Sequence, residues 1–437
     1  MVYTHITELI GNTPLLRLDP AVHGLPDVDL YAKLESHNPF GSVKDRVAWA
    51  MIRDDLEHIA ADGQSFIEAS SGNTAKALRV LGALHGIPLR AVTNRIRVSE
   101  VRQLLQLLGT EIVELPGLSE CPDPHAADDV SAVIEQTISQ GQGRWYHPSQ
   151  YTNERNVAAH HDGTGAEIAT DLADAGIDHL DYLIGGLGTT GSTRGTATAL
   201  LAHHPGLRTI GVVSDRFDFI PGIRSEREMW EVGLFRPDFY DEIVTVDAAA
   251  AIEATLDLVR GYGVLAGPTS GAGYYAALHA LAAAPRPEGR PLVAVLIVCD
   301  RMEPYLSYFA KRRPDLFGKP TAPAPPSPDD TAPMLSPAEL ADLDRTARPT
   351  VVDTRGAMAY RVGHVPGALN IRDDQLDEML TQGVPFPRSR PVVFVCPVGE
   401  TSRRFAALAH RAGYAAFSLE GGIVAWRDAG YAMERGG

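Results

Sequence analysis

Short apolar segments of strand length alternate with longer segments of helical spacing, and this alternation constrains the fold more than any other feature of the sequence. The alternating segments are 77–86 and 88–93, 100–109 and 111–115, and the apolar runs 182–186 and 292–299. Helix and strand that follow one another in this way favour a parallel sheet with helices on both faces. The predicted fold class is therefore α/β.

A proline-rich segment, residues 319–333, interrupts this pattern. Prolines at this density exclude helix and central strand and favour an extended spacer. We therefore predict a large domain at 1–315, a linker at 316–335 and a small domain at 336–437. The small domain also has an α/β pattern, with predicted strands at 350–353, 391–395 and 415–419 and a helix at 402–412.

Composition narrows the classes of function. The formal net charge is −16, which argues against nucleic-acid and anionic-membrane partners because both favour basic surfaces. No apolar run approaches the length of a membrane span and no signal peptide precedes the first helix-like segment, so we expect a cytoplasmic protein. The three widely spaced cysteines, Cys121, Cys299 and Cys396, do not form a disulfide framework. We expect no metal site.

Lys44 is the first candidate for chemistry. It follows a turn in the segment Asn-Pro-Phe-Gly-Ser-Val-Lys-Asp-Arg, residues 38–46, where a helix begins. The positive end of a helix and burial both lower the pKa of a lysine, and a Schiff-base lysine needs that neutral amine. The alternative is an exposed lysine that simply follows a turn.

Three glycine- and hydroxyl-rich segments are predicted to lie at strand-to-helix turns. Residues 185–195, Gly-Gly-Leu-Gly-Thr-Thr-Gly-Ser-Thr-Arg-Gly, suit a phosphate cup, because backbone N–H groups converge at a helix N-terminus. Residues 68–74 suit a carboxylate for the same reason, and residues 267–273 form the third turn. The alternatives are a flexible glycine loop in the first case and helix capping by serine in the other two.

The order and spacing of these segments resemble those of the fold-type II pyridoxal-phosphate (PLP) enzymes. The opening Ile-Thr-Glu-Leu-Ile-Gly-Asn-Thr-Pro-Leu at 6–15 and the closing Asp-Arg-Met-Glu-Pro-Tyr-Leu at 300–306 are similar to the cysteine synthase branch. That branch includes O-acetylserine and O-phosphoserine sulfhydrylases, with cystathionine β-synthase as a relative. The resemblance implies two subdomains with parallel sheets, PLP as cofactor and a homodimer formed through the large domain.

The resemblance also implies roles for individual residues. Lys44 holds PLP as a Schiff base and acts as the general base, Asn73 bonds the 3′-oxygen, and Ser270 faces the pyridine nitrogen. The 5′-phosphate is held by Gly188, Thr189, Thr190, Gly191 and Ser192. The amino-acid carboxylate is bound by Ser70, Ser71, Gly72, Thr74 and Gln150. A serine facing the ring nitrogen makes a weaker electron sink than an aspartate, which suits β-elimination.

One segment and one residue depart from the family pattern, and a third feature, Arg224, has two interpretations. Residues 93–102 do not match the segment that closes over substrate, which leaves the substrate open, and Ala75 stands where many members have glycine. Arg224 is either an anion contact of the site or a surface arginine paired with Glu226 or Glu228. An anion contact would favour O-phosphoserine over O-acetylserine, because an arginine fork suits a phosphate.

Cys396 ends an apolar strand and precedes a tight loop and a helix at 392–402. Converging N–H groups and a helix N-terminus are expected to favour its thiolate, although a buried structural cysteine is the alternative. For Cys299 we prefer the structural interpretation, and for Cys121 we expect no role.

The surroundings of Cys396 resemble the rhodanese family over roughly residues 336–433. The landmarks are Val-Val-Asp-Thr-Arg at 351–355, Gly-His-Val-Pro-Gly-Ala-Leu-Asn-Ile at 363–371 and Leu-Glu-Gly-Gly-Ile-Val-Ala-Trp at 419–426. The resemblance implies that Cys396 carries a persulfide, while Asp353 and Arg355 are interpreted as structural.

The loop after Cys396 differs from that of thiosulfate-using members. Pro397 removes one N–H from the loop, and Glu400 and Thr401 stand where such members often have basic residues. A carboxylate near the thiolate should repel thiosulfate. We therefore predict a protein or low-molecular-weight persulfide as sulfur donor.

Together these features predict a β-replacement on activated serine, with sulfur supplied through Cys396 by a persulfide donor or sulfur-carrier protein. Three alternatives stay open: a cysteine or cystine β-lyase that passes sulfur to Cys396, a 2,3-diaminopropionate-type synthase, and a sulfur-relay scaffold with one silent domain. A threonine dehydratase fits less well, because residues 71–74 and Gln150 look like the sulfhydrylase branch and no regulatory domain is visible.

Overall fold

The computed structural model describes residues 2–93, 96–115, 130–215, 218–318, 333–347, 349–382 and 384–436. The larger of two compact units comprises Met1–Val113 and Ile134–Arg313, and residues from Pro314 onward form most of the smaller one. Cys121 and most of the predicted linker lie outside the described residues. No helix in the described ranges is long and apolar enough to cross a membrane.

The first ten strands and twelve helices are numbered in chain order. The strands are β1 (Leu15–Leu18), β2 (Val28–Leu34), β3 (Ser65–Ala69), β4 (Leu89–Thr93), β5 (Glu111–Glu114), β6 (Trp145–Tyr146), β7 (Tyr182–Gly186), β8 (Arg208–Ser214), β9 (Glu242–Val246) and β10 (Leu292–Val298). The helices are α1 (Pro20–His23), α2 (Lys44–Ile52), α3 (Leu56–Ala61), α4 (Asn73–Ala83), α5 (Ser99–Leu107), α6 (Val130–Gln140), α7 (Arg155–Ala159), α8 (Ala166–Asp174), α9 (Gly191–Leu201), α10 (Ala248–Tyr262), α11 (Pro268–Ala283) and α12 (Leu306–Arg312).

These strands form two sheets, which confirms the predicted α/β class. One sheet has the order β1-β2-β10-β7-β8-β9 and the other the order β5-β4-β3-β6. In the six-stranded sheet β1 is antiparallel to β2, and the pairs from β2 to β9 are parallel. All seven residues of the central strand β10 are buried, as expected for a strand with helices on both faces.

The predicted turns occupy the carboxyl ends of the strands. The chain leaves β2 toward Lys44, leaves β3 into residues 70–74, and leaves β7 into residues 187–190. The carboxyl ends of parallel strands are where open α/β sheets place their ligands. The prediction for residues 267–273 is wrong in one respect. A strand was expected before this turn, but the turn follows helix α10 and its left-handed C-cap Gly263. Ala266, just before the turn, forms an isolated β-bridge with Arg301.

The smaller unit is a second α/β layer structure. Its strands are β11 (Met334–Leu335), β12 (Thr350–Asp353), β13 (Leu369–Asn370), β14 (Val392–Val395) and β15 (Ala416–Leu419), and its helices are α13 (Pro337–Ala347), α14 (Ala357–Val362), α15 (Asp373–Gln382), α16 (Glu400–Arg411) and α17 (Gly422–Asp428). The sheet order is β11-β15-β14-β12-β13, with parallel pairs throughout. Residues of β14 point alternately to two apolar clusters, one containing Val393 and Trp426 and the other Phe394 and Phe405.

Candidate functional site

Lys44 is the first residue of α2 and is partly buried. Burial lowers the pKa of its ammonium, and the nearby Cys299 and Asp300 oppose that effect. The backbone beside it is tied to the end of β10, because Val43 N donates to Cys299 O at 2.8 Å. The structure therefore provides the partly desolvated lysine that the sequence predicts.

A buried ion network, which sequence reasoning missed, fixes the start of α2. Arg46 Nε donates to Glu35 at 2.7 Å, and its two terminal nitrogens donate to Glu167 at 2.6 and 2.7 Å. Burial raises the pKa of Glu167, but the Arg46 bonds outweigh it and lower that pKa to about 2. Lys33, fully buried, joins the network through Glu167 at 3.0 Å. Because Arg46 stands two residues after Lys44, the network sets the position of the lysine.

The predicted phosphate cup lies at the N-terminus of α9, where the first N–H groups have no partner within the helix. Thr190 caps this helix in the left-handed conformation, at φ 65°, which costs free energy in a residue with a Cβ. Its hydroxyl oxygen is buried and has no hydrogen-bond partner within the described residues. A Cβ on Gly188 would lie 2.7 Å from Gly222 O. Unpaired donors in a tightly closed loop fit a phosphate group.

Asn156, another residue that sequence reasoning missed, connects this cup to the loop that contains Gln150. Its Nδ2 donates to Gln150 O at 2.8 Å and to Thr189 Oγ1 at 3.0 Å. Since the Thr189 oxygen already accepts a hydrogen bond, its own proton can turn toward a phosphate. A Cβ on Gly191 would lie 2.0 Å from Asn156 Oδ1, which explains the glycine.

Residues 70–74 and Gln150 are brought together as predicted. Thr74 Oγ1 donates to Gln150 Oε1 at 2.6 Å, and Gln150 Nε2 donates to Ala69 O at 2.7 Å. Ser70 Oγ accepts from Ala75 N at 3.1 Å and from Gly72 N at 3.4 Å. The alternative of an N-cap at Ser70 or Ser71 is wrong, because Gly72 is the N-cap of α4. Ser70 still accepts one first-turn N–H, and Ser71 is exposed. N–H and hydroxyl donors at this helix start suit a carboxylate.

The Asn73 side chain lies against two residues whose role was not predicted. Its Nδ2 donates to Asp300 Oδ2 at 2.7 Å and to Tyr305 Oη at 3.3 Å. Tyr305 also donates to the same Asp300 oxygen at 2.5 Å. Burial raises the pKa of Asp300, and these hydrogen bonds lower it in part. Asp300 and Tyr305 belong to the closing motif at 300–306. That motif is the sequence signal from which their place in the site could have been predicted.

Ser270 is fully buried in the first turn of α11. Its Oγ accepts the backbone N–H of Cys299 at 2.9 Å, so its own proton can be donated to an acceptor such as an unprotonated pyridine nitrogen. Burial raises the pKa of Cys299 to about 12, which keeps that thiol neutral. The Lys44 amine, the cup and the Ser270 hydroxyl together fit PLP.

Arg224 contacts an aromatic ring beside the candidate site. Its guanidinium lies 4.8 Å from the ring centre of Tyr151, and its backbone N donates to Leu187 O at 2.9 Å. The Glu228 carboxylate accepts hydrogen bonds from Ser225 N and Oγ, both at 2.9 Å. Arg224 therefore lies between the loop after Gln150 and the loop that leads into the cup.

Cys396 lies at the end of β14 and is fully buried. Its Sγ accepts from Gly399 N at 3.2 Å and from Ser402 Oγ at 3.3 Å. Ser402 Oγ lies 2.8 Å from Ser418 Oγ, and when Ser402 donates to the sulfur it can accept the Ser418 proton. Donors on the sulfur favour thiolate. The two-serine chain behind Cys396 was not predicted, because Ser418 lies on a different strand.

Asp353 and Arg355 form a buried pair in the same unit. Arg355 donates to both carboxylate oxygens, at 2.7 Å from Nη2, and also to Gly363 O at 2.7 Å. These contacts join β12 to the segment before β13, consistent with the structural interpretation.

Comparison with known proteins identifies a family for each part of the chain. The pyridoxal-phosphate dependent enzyme family matches residues 6–300, and the rhodanese-like domain matches residues 336–429. A cysteine synthase of Aquifex aeolicus is 30% identical over 307 residues, which cover 69% of this chain and 90% of the relative. An O-ureido-L-serine synthase of Streptomyces lavendulae is 30% identical over 319 residues, covering 70% and 92%.

Solved structures show the same relationship. A cysteine synthase from Entamoeba histolytica superposes with a TM-score of 0.59 at 26% identity, covering 74% of this chain and 93% of that one. A hydrogen sulfide-producing enzyme from Fusobacterium nucleatum superposes with a TM-score of 0.58 at 28% identity, covering 70% and 100%. The chain therefore belongs to the pyridoxal-phosphate dependent enzyme family, as a cysteine synthase-like β-replacement enzyme that also carries a rhodanese-like domain.

Proposed function

We propose that the protein replaces the β-substituent of O-phosphoserine or O-acetylserine with sulfur that arrives through a Cys396 persulfide, giving cysteine or a related sulfur amino acid. The observation that carries this proposal is the pair of donors on Cys396 Sγ, from Gly399 and Ser402, in a chain whose larger unit is cysteine synthase-like. A sulfur-carrying cysteine on the same chain raises the local concentration of sulfur for an enzyme that consumes it.

Lys44 is the proposed general base of the large domain. When bound, PLP withdraws electrons from the α-carbon of the amino acid. Burial lowers the pKa of Lys44, so a larger fraction of its amine is neutral and able to take the α-proton. The Arg46 network holds the backbone next to Lys44 and thereby limits the movement of the amine.

The remaining residues bind and orient. Residues 70–74 and Gln150 hold the α-carboxylate, and the cup at 188–192 holds the 5′-phosphate. Asn73 would bond the 3′-oxygen by giving up its longer hydrogen bond to Tyr305, while Asp300 keeps the other Nδ2 hydrogen. Ser270 donates to the ring nitrogen without protonating it, which suits rapid loss of a β-substituent.

Arg224 supports O-phosphoserine as the preferred substrate. It lies over Tyr151, which follows the carboxylate-binding Gln150 directly, and an arginine there can form charge-assisted hydrogen bonds to a phosphate leaving group. A homodimer formed through the large domain is part of the proposal, and sedimentation of the purified protein tests it.

On the small domain, the Cys396 thiolate attacks the outer sulfur of a donor persulfide and releases the donor thiol. A first reductant thiol then attacks the Cys396 sulfur and releases the outer sulfur as hydrosulfide, leaving a mixed disulfide. A second thiol restores the Cys396 thiol and forms the reductant disulfide. Glu400, in the first turn of α16, disfavours thiosulfate through charge repulsion. A protein persulfide or a small organic persulfide is the proposed donor.

The reverse direction is the second candidate, because one structural relative is a hydrogen sulfide-producing enzyme. A cysteine or cystine β-lyase would use the same Lys44 and pass sulfur outward to Cys396. The two directions differ in the substrate that is consumed.

The test first loads Cys396 with an organic persulfide and removes the excess donor. The PLP-loaded protein is then supplied with O-phosphoserine, O-acetylserine or cysteine and a thiol reductant, but no added sulfide. The proposal expects cysteine to form from a serine ester, and expects the Cys396→Ser variant to lose this activity yet keep its activity with added sulfide. Consumption of cysteine without turnover of either ester would instead establish the lyase.

A further inference from the structure

One buried carboxylate has no part in the mechanism above, although it lies directly behind the loop that holds the amino-acid carboxylate. Glu68 is the fourth residue of β3, two residues before Ser70, and its side chain is 0% exposed. Burial raises its pKa to about 8, and only backbone N–H groups oppose that rise. Burying a carboxyl group costs free energy unless it is hydrogen-bonded, so its contacts indicate what it contributes.

The Glu68 carboxyl group accepts hydrogen bonds from the backbone of residues 149–150. Ser149 N donates to Oε2 at 2.8 Å, and Gln150 N donates to Oε1 at 3.3 Å. Ser149 has a φ of 61°, a left-handed conformation that residues with a Cβ seldom adopt. The carboxylate therefore stabilises a backbone conformation that this segment does not favour by itself.

That conformation determines where the Gln150 amide points. Its Oε1 accepts from Thr74 Oγ1 at 2.6 Å, and one Nε2 hydrogen is donated to Ala69 O at 2.7 Å. A glutamine amide has two N–H donors, so the second Nε2 hydrogen is left for a ligand at residues 70–74. If the 149–150 backbone relaxed, both side-chain bonds would change with it.

We propose that Glu68 is a positioning residue for the amino-acid substrate. It holds the 149–150 backbone and so aims the Gln150 amide at the α-carboxylate, which sets amino-acid affinity more than the rate of chemistry. This inference rests on the proposed function only in that an α-amino acid binds at residues 70–74 and Gln150.

The first variant is Glu68→Gln, which keeps the size of the side chain but turns an amide NH₂ toward one of the two backbone N–H groups. We expect KM for the serine ester to rise about fivefold, as for one lost neutral hydrogen bond, while kcat changes by less than about twofold. Glu68→Asp keeps the carboxyl group and withdraws it by one methylene, and we expect a smaller rise in KM. This second variant still tests the proposal if Glu68→Gln folds poorly.

Asp181→Asn is the matched control. The Asp181 carboxylate accepts Val293 N at 2.8 Å, but it precedes β7 and lies at the amino end of the strands, away from the loops of the site. We expect this variant to lose stability without a change in KM. In a Gln150→Ala background, Glu68→Gln should raise KM no further, because Glu68 acts through Gln150. An equal rise in both backgrounds would overturn the proposal.

Binding of L-serine to the PLP-loaded protein, followed by the visible absorbance of the cofactor, separates this inference from the proposed function. If wild type converts neither ester but L-serine binding still weakens in Glu68→Gln, the positioning role stands and the proposed reaction is wrong. If wild type converts an ester and Glu68→Gln leaves both KM and L-serine affinity unchanged, the positioning role is wrong and the reaction stands.

Discussion

The close approach of Gly191 to Asn156 should make the proposed phosphate cup, residues 188–192, sensitive to a single added methyl group. In Gly191→Ala the new Cβ would lie 2.0 Å from Asn156 Oδ1, a distance that no relaxed structure tolerates. Asn156 is fully buried, so its side chain cannot swing into solvent. The clash must therefore displace the amide that bonds Gln150 O and Thr189 Oγ1.

The size of the effect follows from these contacts. Two neutral hydrogen bonds contribute about 2 kcal/mol in total, and overpacking a dense site costs about 2 kcal/mol more. Gly191→Ala should lower the free energy of unfolding of the large domain by about 4 kcal/mol. Asn156→Ala removes the same two hydrogen bonds without the clash and should cost about 2 kcal/mol. The PLP dissociation constant should rise at least about tenfold in both variants, because Thr189 is no longer oriented.

Thermal unfolding and fluorescence titration with PLP measure the two effects. Gly206→Ala is the control, because a Cβ at Gly206 meets nothing within 4 Å, and it should change neither quantity. The double variant Gly191→Ala with Asn156→Ala should be no less stable than Gly191→Ala alone. Asn156→Ala removes the Oδ1 atom with which the new Cβ would clash. Wild-type stability and PLP affinity in Gly191→Ala would refute this reasoning.

Three further predictions concern other parts of the molecule. Ser402→Ala should raise the pH at which the Cys396 thiolate forms, followed by its ultraviolet absorbance, because the Ser402 donor to Sγ is lost; an unchanged midpoint would contradict this. The pKa of Glu167 is lowered from 4.5 to about 2, so wild type should lose about 3 kcal/mol of stability as pH falls from 4.5 to 2. Glu167→Gln should remove that part of the pH dependence in acid unfolding curves, and identical curves would exclude it. Arg224→Ala should raise KM about tenfold for O-phosphoserine but not for O-acetylserine, and equal effects on both esters would leave Arg224 without a role in leaving-group recognition.

Local features of the fold could be predicted from the sequence. The strand β7 has the predicted bounds because an apolar run there ends at two glycines, and β12 likewise matches residues 350–353. The helix α4 begins at Asn73, earlier than the predicted residue 77. The polar residues Asn73, Thr74 and Lys76 obscured that start, because Asn and Thr side chains bond the backbone in turns as well as at helix starts.

Long-range features could not be predicted in this way. Strand β10 pairs with β2, more than 250 residues earlier in the chain, and periodicity contains no information on such pairing. Arg46 and Glu167 lie 121 residues apart in sequence, so nothing local indicated their ion pair. Asn156 stands in an ordinary polar stretch, and its burial depends on the packing of α7 against α9.

The site residues fall into the same two groups. The cup at 188–192 and Cys396 have local signals, a glycine- and hydroxyl-rich turn and a strand that ends in cysteine. Gln150 was assigned by family resemblance alone, and its contact with Thr74 is a feature of the tertiary structure. Glu68 was visible in the loop motif, but its function depends on a backbone conformation at Ser149 that the sequence does not specify.

The most direct test of the central claim follows the sulfur atom itself. Cys396 is loaded as a persulfide with isotopically heavy sulfur from an organic persulfide, and the PLP-loaded protein is mixed in a single turnover with O-phosphoserine, a thiol reductant and excess unlabelled sulfide. Mass spectrometry then measures the label in free cysteine. The proposed function predicts labelled cysteine well above the fraction set by dilution into the sulfide pool, and none above that fraction in Cys396→Ser. Cysteine labelled only in proportion to the mixed pool, in both proteins, would contradict delivery through Cys396.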